Sequence, residues 1–360
     1  MTFALTEDQR LIQNTARAFL ADAARPDRLR AVVNGDAGWD AELWAGLAQD
    51  MGFIGLMIPE AYGGSGLGAV EMALVLEDAG RMLAAAPLFE SAVLAVQAIL
   101  AAGTEGQCAS LLPGLARGET KATFVGATER PILSGRRLIG PARFVTFGHV
   151  ADLLVVATAD DSLIALPAST PGVEITRTPN LDRTRPFSTI AFDVEVPPDA
   201  ILGAAGGAAK AISRTLSIGA GLLAAEQTGG AQFCLDATVD YAKQRVQFGR
   251  LIGSYQAVKH ALADMMVMIE ASRSAVFYAA AAIDENGDEL DEACAVAASW
   301  ASDCYRRCSG EQIQLHGGIG FTWEHHAHLY FKRAQASSTW LGTAEAHREA
   351  LAKIILQEVA

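Results

Sequence analysis

Arg245-Val246-Gln247-Phe248-Gly249 carries the most chemical information in the chain, and it continues through Leu251-Ile252-Gly253-Ser254-Tyr255-Gln256. A basic side chain, an aromatic–glycine turn and a polar amide are strung there between two apolar-periodic segments. Both segments have helical spacing, so Arg245 stands at a helix end. A guanidinium in that place can pair with phosphate oxygens two at a time. The same residue could equally cap helix carbonyls beside a structural glycine. Residue type alone leaves the two readings open.

Two other stretches share this character. Gln314-Leu315-His316-Gly317-Gly318-Ile319-Gly320-Phe321-Thr322 is glycine-rich at a second predicted helix end, and Ile58-Pro59-Glu60-Ala61-Tyr62-Gly63-Gly64-Ser65-Gly66-Leu67-Gly68 is a loop near the start. Glycines of this kind let backbone approach a ligand closely. Glu324-His325-His326-Ala327-His328 looks superficially like a metal cluster. It has no acid–histidine partner at recognisable spacing, so solvated or hydrogen-bonded histidines and no metal are expected. The five cysteines, at 108, 234, 294, 304 and 308, form no C-x-x-C pair. The odd count and the lack of a signal peptide predict buried free thiols in a reducing cytoplasm.

The elements that must position these residues are legible in the periodicity. From Thr6 the pattern is helical, with Thr6 as N-cap, Glu7 and Asp8 in the first turn, and a stripe of Leu11, Ile12, Ala16, Phe19 and Leu20. From about Lys121 to Gly203, short β-branched or alternating runs bounded by turn residues, Pro141 among them, predict about seven strands. Long apolar-periodic segments over Ala208–Gln244, Tyr255–Asn286, Leu290–His316 and Ala344–Val359 predict four helices. The expected fold is therefore α+β and multidomain. It has an N-terminal helical domain over 1–119, an antiparallel, barrel-like β-domain over 120–203, and a four-helix bundle over 204–360. The net charge of -13 argues against a nucleic-acid partner, which needs a basic face. The chain is 51% hydrophobic, yet the most apolar stretch, Leu83 to Ala102, is interrupted by Pro87 and Glu90. No membrane span is expected, and the apolar excess points instead to helix packing and a subunit interface.

Taken in order and spacing, the three motifs resemble those of the acyl-CoA dehydrogenase family, and the match runs from Leu5-Thr6-Glu7-Asp8-Gln9 to the last helix. The resemblance implies an FAD held between the β-domain and the C-terminal helices, with its pyrophosphate and adenine reaching a neighbouring subunit. Thr128 matches the family threonine that contacts the flavin ring, and Phe144 and Thr146 match the residues flanking that ring. Arg245, Phe248 and Gln256 match positions that hold the FAD of the partner subunit, as do Gln314, Gly317 and Gly318. Thr343 matches a threonine on the adenosine diphosphate part.

The departures bear on the chemistry. The family removes an α-proton from an acyl thioester with a carboxylate while hydride passes to the flavin. Its two usual base positions are Leu341 and Gly219 here, and neither can accept a proton. The nearest candidate is Glu226, in the apolar run after Leu222-Leu223-Ala224-Ala225 and about two helical turns beyond Gly219. A buried Glu226 paired with an arginine is the competing reading. Thr128-Glu129 is followed by Arg130-Pro131-Ile132-Leu133-Ser134-Gly135, without the family's ligand-holding serine motif, and Ala220 stands where an arginine is expected. The resemblance therefore implies FAD-dependent α,β-dehydrogenation of an acyl-CoA in lipid or steroid side-chain catabolism, with electron-transfer flavoprotein as acceptor. It further implies a dimer or tetramer, and the missing base is similar to that of subunits paired with a different, base-bearing chain. A non-catalytic structural partner and a flavin-dependent oxygenase on the same fold are the alternatives.

Overall fold

The computed structural model describes residues 5–359, and its contacts divide into two compact units. One unit comprises Ala31–Met72 and Ala85–Gly219; the other comprises the residues up to Arg30, Ala73–Ala84, and those from Ala220 onward.

The helices come first: α1 (Glu7–Ala23), α2 (Pro26–Asn34), α3 (Ala41–Ala45), α4 (Ala69–Arg81), α5 (Val96–Ala102) and α6 (Glu105–Ala116). Thr6 opens α1 as expected. Its side chain accepts from the Gln9 N–H, and the Gln9 side chain bonds back to the Thr6 N–H. This reciprocal box satisfies two otherwise orphaned donors.

Seven strands follow: β1 (Ala122–Val125), β2 (Ile132–Ser134), β3 (Arg137–Thr146), β4 (Leu153–Ala157), β5 (Leu163–Pro167), β6 (Val173–Thr178) and β7 (Phe187–Glu195). They form two sheets, ordered β1-β4-β5 and β2-β3-β7-β6. Both sheets turn apolar residues into one core that includes Val125, Leu138, Leu154, Val156, Ile164, Ile190, Phe192 and Val194. In β7, Ser188, Ile190, Phe192 and Val194 are buried while Ala191, Asp193 and Glu195 are exposed, the period-two pattern of a half-buried strand. The antiparallel expectation needs one correction: β1 pairs with β4 in parallel. The chain between them leaves to build the β2–β3 hairpin of the other sheet, and that long excursion allows a same-direction return.

The remaining elements are α7 (Ala209–Ala242), the hairpin strands β8 (Val246–Gln247) and β9 (Arg250–Leu251), then α8 (Gln256–Glu285), α9 (Leu290–His316), α10 (Ala327–Trp340) and α11 (Ala344–Val359). The four expected helices are therefore five, because α10 lies between the third and fourth. Helix α9 packs against α8, α10 and α11. By length and composition α8 is apolar enough to cross a membrane. It buries Met265, Ile269, Val276 and Ile283 in the fold, while 39% of its most apolar stretch is buried.

Helices α4 and α7 cross at two glycines. A Cβ on Gly229 would lie 1.7 Å from the Glu77 carbonyl oxygen, and one on Gly80 would lie 1.9 Å from that of Glu226. Only glycine permits backbones this close. Gly229→Ala is expected to destabilise the protein by about 1–3 kcal/mol through overpacking. Denaturant unfolding checks this; an unchanged midpoint would mean that the two helices separate freely.

Candidate functional site

The ring-side candidates lie in the β-bearing unit. Strand β3 has one residue more than β7 between Ala142 and Val145, a β-bulge. Arg143 and Phe144 occupy the bulge, and Phe144 has φ of 59°, a conformation an aromatic residue rarely adopts. The ring is 53% exposed and rests edge-on against Phe187, 6.0 Å between centroids. The bulge is tied to the Thr128 turn from both sides. Thr128 Oγ1 donates to the Arg143 carbonyl at 3.1 Å, and Arg143 Nη1 donates to Glu129 Oε1 at 2.8 Å. Thr128 and Phe144 are thus brought together with exposed side chains. Thr146 is buried, and its carbonyl accepts the Thr123 hydroxyl at 2.7 Å.

The phosphate-side candidates lie in the helical unit. Two residues, Phe248 and Gly249, connect β8 to β9, with φ of 52° and 78°. Positive φ at both positions is the tight hairpin turn whose twist suits the flanking strands, and it normally takes Asn-Gly. Phenylalanine at the first position is strained, and its ring is 94% exposed. The base of the hairpin is well held. The Ile252 N–H donates to the Arg245 carbonyl at 2.8 Å, the Tyr255 hydroxyl donates to the Gln247 carbonyl at 3.1 Å, and the Arg250 guanidinium lies 3.8 Å over the Tyr255 ring. Residues 243–251 are exposed throughout, as is Gln256 at the start of α8.

Gln314 is exposed in the last turn of α9, which ends at Gly317 with φ of 63°. A Cβ on Gly318 would meet nothing within 4 Å, and Gly318 needs no positive φ. This chain's own packing therefore does not demand glycine there, whereas a close external group would. The Thr343 hydroxyl accepts the Ala346 N–H at 3.2 Å and so caps α11.

The structure joins the Arg245 and Gln314 segments. Tyr241, in the last turn of α7, stacks on His316 at the end of α9, 4.3 Å between ring centroids and 20° between planes. Nothing in the sequence pairs these residues, which lie on separate helices.

The candidate base is differently placed. Glu226 is 5% exposed, and its Oε1 accepts from Arg333 Nη1 of α10 at 2.7 Å. Arg333 is itself 2% exposed. The ion pair supports the structural reading of Glu226. Gly219 is buried within α7, and Leu341 is half-buried at the end of α10.

Packing buries His328 and half-buries His325 and His326. Arg30 Nε donates to His326 Nε2 at 2.9 Å, and its guanidinium also reaches the Trp323 carbonyl. His325 Nδ1 accepts the Ala327 N–H at 3.1 Å. Burial first, then nearby cationic groups, push His325 and His328 each down to about 4. Both are neutral in the folded protein at neutral pH, while in the unfolded chain they take up protons below about 6.5. Stability is therefore complete above that value and falls as pH drops toward 4, by at most about 1.4 kcal/mol per pH unit for each histidine. Melting temperatures across this range check the sign; a rise in acid would contradict it.

Residues 6–119 match the family profile described as acyl-CoA dehydrogenase, N-terminal domain, and residues 206–356 match acyl-CoA dehydrogenase, C-terminal domain. The chain is 36% identical to acyl-CoA dehydrogenase IpdE2 of Mycobacterium tuberculosis over 97% of its own length and 96% of that protein's. Among solved structures it resembles the ChsE4-ChsE5 complex of Mycobacterium tuberculosis, at a TM-score of 0.90 and 27% identity over 99% of each chain. It also resembles a variant of the Tcur3481-Tcur3483 steroid ACAD, at 0.87 and 32%, over 98% of this chain and 99% of that one. The protein belongs to the acyl-CoA dehydrogenase family.

Proposed function

We propose that the protein is a flavoprotein that dehydrogenates the α,β-bond of a steroid-derived acyl-CoA, working as one subunit of a hetero-oligomer whose other chain supplies the catalytic carboxylate. One observation carries this reading. Residues suited to both ends of FAD are exposed and pre-shaped, while neither usual base position bears a carboxylate and Glu226 is held by Arg333. The relatives support the assembly and the substrate class, since one is a complex of two differently named chains and another is described as a steroid ACAD. The profile matches over 6–119 and 206–356 support three parts divided near 120 and 204.

The residues fit FAD. Phe144 offers an exposed ring for stacking, and Thr128 an exposed hydroxyl beside it. Toward the FAD of a partner subunit, Arg245 would supply charge for the pyrophosphate together with the exposed Phe248 and Gln256, and Gln314, Gly317 and Gly318 would supply an amide and open backbone. Thr343 contributes to the adenosine side through the turn it caps. Thr146, buried two residues after Phe144 and bonded through its carbonyl to Thr123, would support the ring side through the strand it shares with the bulge. A bound FAD would supply the acceptor for a hydride from the β-carbon of the thioester, with an electron-transfer flavoprotein as the onward electron acceptor. Of the proton transfer this chain does nothing: Leu341 and Gly219 have no basic atom. The exposed Met266 and Val267 of α8 suit a partner-covered face.

The test is to purify the protein with a carboxylate-bearing family chain and add steroid acyl-CoA thioesters without oxygen. Bleaching of the oxidised flavin band is expected. A folded complex that carries no FAD would sink the reading.

A further inference from the structure

We propose that His316 is a positioning residue: through its stack with Tyr241 it fixes the Arg245 hairpin and the Gln314–Gly318 turn relative to one another, so that both grip one FAD. This rests on the FAD reading above and adds a role that no sequence motif carries. The hairpin leaves α7 four residues after Tyr241, and the Gly317-Gly318 turn follows His316 directly. The two rings are near parallel at 4.3 Å, and the Tyr241 hydroxyl also points to the His316 carbonyl at 3.4 Å. His316 Nδ1 lies 2.7 Å from the Gln312 carbonyl, which can only accept, so Nδ1 carries the hydrogen and the ring is locked to its own helix. A Cβ on Gly320 would come within 3.0 Å of His316 Cβ, so the turn folds tightly over this side chain.

The surroundings make the stack work only with uncharged rings. His325 tilts on His316 at 4.5 Å, and its Nδ1 must stay unprotonated to accept the Ala327 N–H. His326 Nε2 must likewise accept from Arg30 of α2. Helix α10 adds His328 and Lys332, and α7 adds Tyr241. Arg30 and the neighbouring histidines thus act on His325, and Lys332 and Arg30 on His328, so the ring tilted on His316 stands in a cluster of positive or potentially positive groups. Added protons would set like charges within 5 Å of one another, break the bond from the Ala327 N–H to His325 and the Arg30 contact with His326, and loosen the turn. Burial lowers the proton affinity of His316, in keeping with this.

The experiment is FAD titration of the assembled protein, followed by flavin fluorescence, at about pH 8 and about pH 4.5, the latter approaching the value of about 4 at which His325 and His328 take up protons. Wild type, His316→Ala and His316→Phe are compared. At the higher pH the alanine variant should bind FAD about tenfold more weakly, and phenylalanine, which keeps a flat ring for Tyr241, should stay within about threefold of wild type. Wild-type affinity should fall in acid, and the fall should be shallower in His316→Phe. Should the alanine variant melt early, the phenylalanine variant and the pH profile carry the test. Equal affinity in all three proteins overturns the inference alone. So does tighter binding in acid, the response of a histidine that touches the phosphates directly. Wild-type protein that is folded and takes no FAD at either pH overturns the functional reading and this inference with it.

Discussion

Replacing Arg333 by methionine is expected to destabilise the protein by about 3–5 kcal/mol, because it strands a buried carboxylate. Glu226 and Arg333 are 5% and 2% exposed and bonded at 2.7 Å, so without the guanidinium the Glu226 charge stays buried with its nearest offsetting cation removed. The pair as a whole is worth far less than either half. Removing both charges together, with Glu226→Leu and Arg333→Met, should recover most of the loss, since well-packed apolar side chains replace buried ion pairs at little cost. Denaturant unfolding of both single variants and the double variant gives the coupling directly. Turnover of the assembled enzyme, with Glu226→Gln added to the series, settles the role of Glu226. A structural glutamate leaves turnover of the assembled enzyme intact in any variant that stays folded. A catalytic one abolishes turnover in Glu226→Gln while flavin is retained.

Arg245→Met is expected to weaken FAD binding by about 10- to 100-fold, the loss of one charge-assisted contact of about 1.5–3 kcal/mol. Arg245 is exposed, so its removal should change stability by less than about 0.5 kcal/mol. Arg245→Lys should fall between, because an ammonium keeps the charge and loses the planar fork. Equilibrium dialysis against FAD, with melting curves in parallel, separates the two effects. Undiminished affinity in Arg245→Met would remove the arginine from the phosphate site.

The sequence exposed the elements whose signals are local. The Thr6 cap is visible because its partner, Gln9, is three residues away. The strands show because β-branched residues alternate between turn residues, as in β7. The errors have physical causes. Pro141 reads as a turn, yet it sits inside β3: β2 pairs only as far as Ile139, so at Pro141 the strand has β7 on one side alone and a missing N–H is tolerated. Helix α10 hid because His328, Arg333, Ser337 and Ser338 on its buried face break the apolar stripe. The Thr128–Arg143 and Tyr241–His316 contacts could not be read at all, because they join residues through the fold rather than along the chain. The glycine and arginine motifs were legible as types; what their side chains face was not.

The central claim is that this chain contributes to a flavin site but cannot abstract the α-proton by itself. Its most direct test is anaerobic titration of FAD-reconstituted protein with straight-chain and steroid acyl-CoA thioesters, first alone and then with a carboxylate-bearing family chain. The flavin band should stay oxidised in the first case and bleach in the second. Bleaching of the flavin by the chain alone would contradict the account and return Glu226 to the centre of the chemistry.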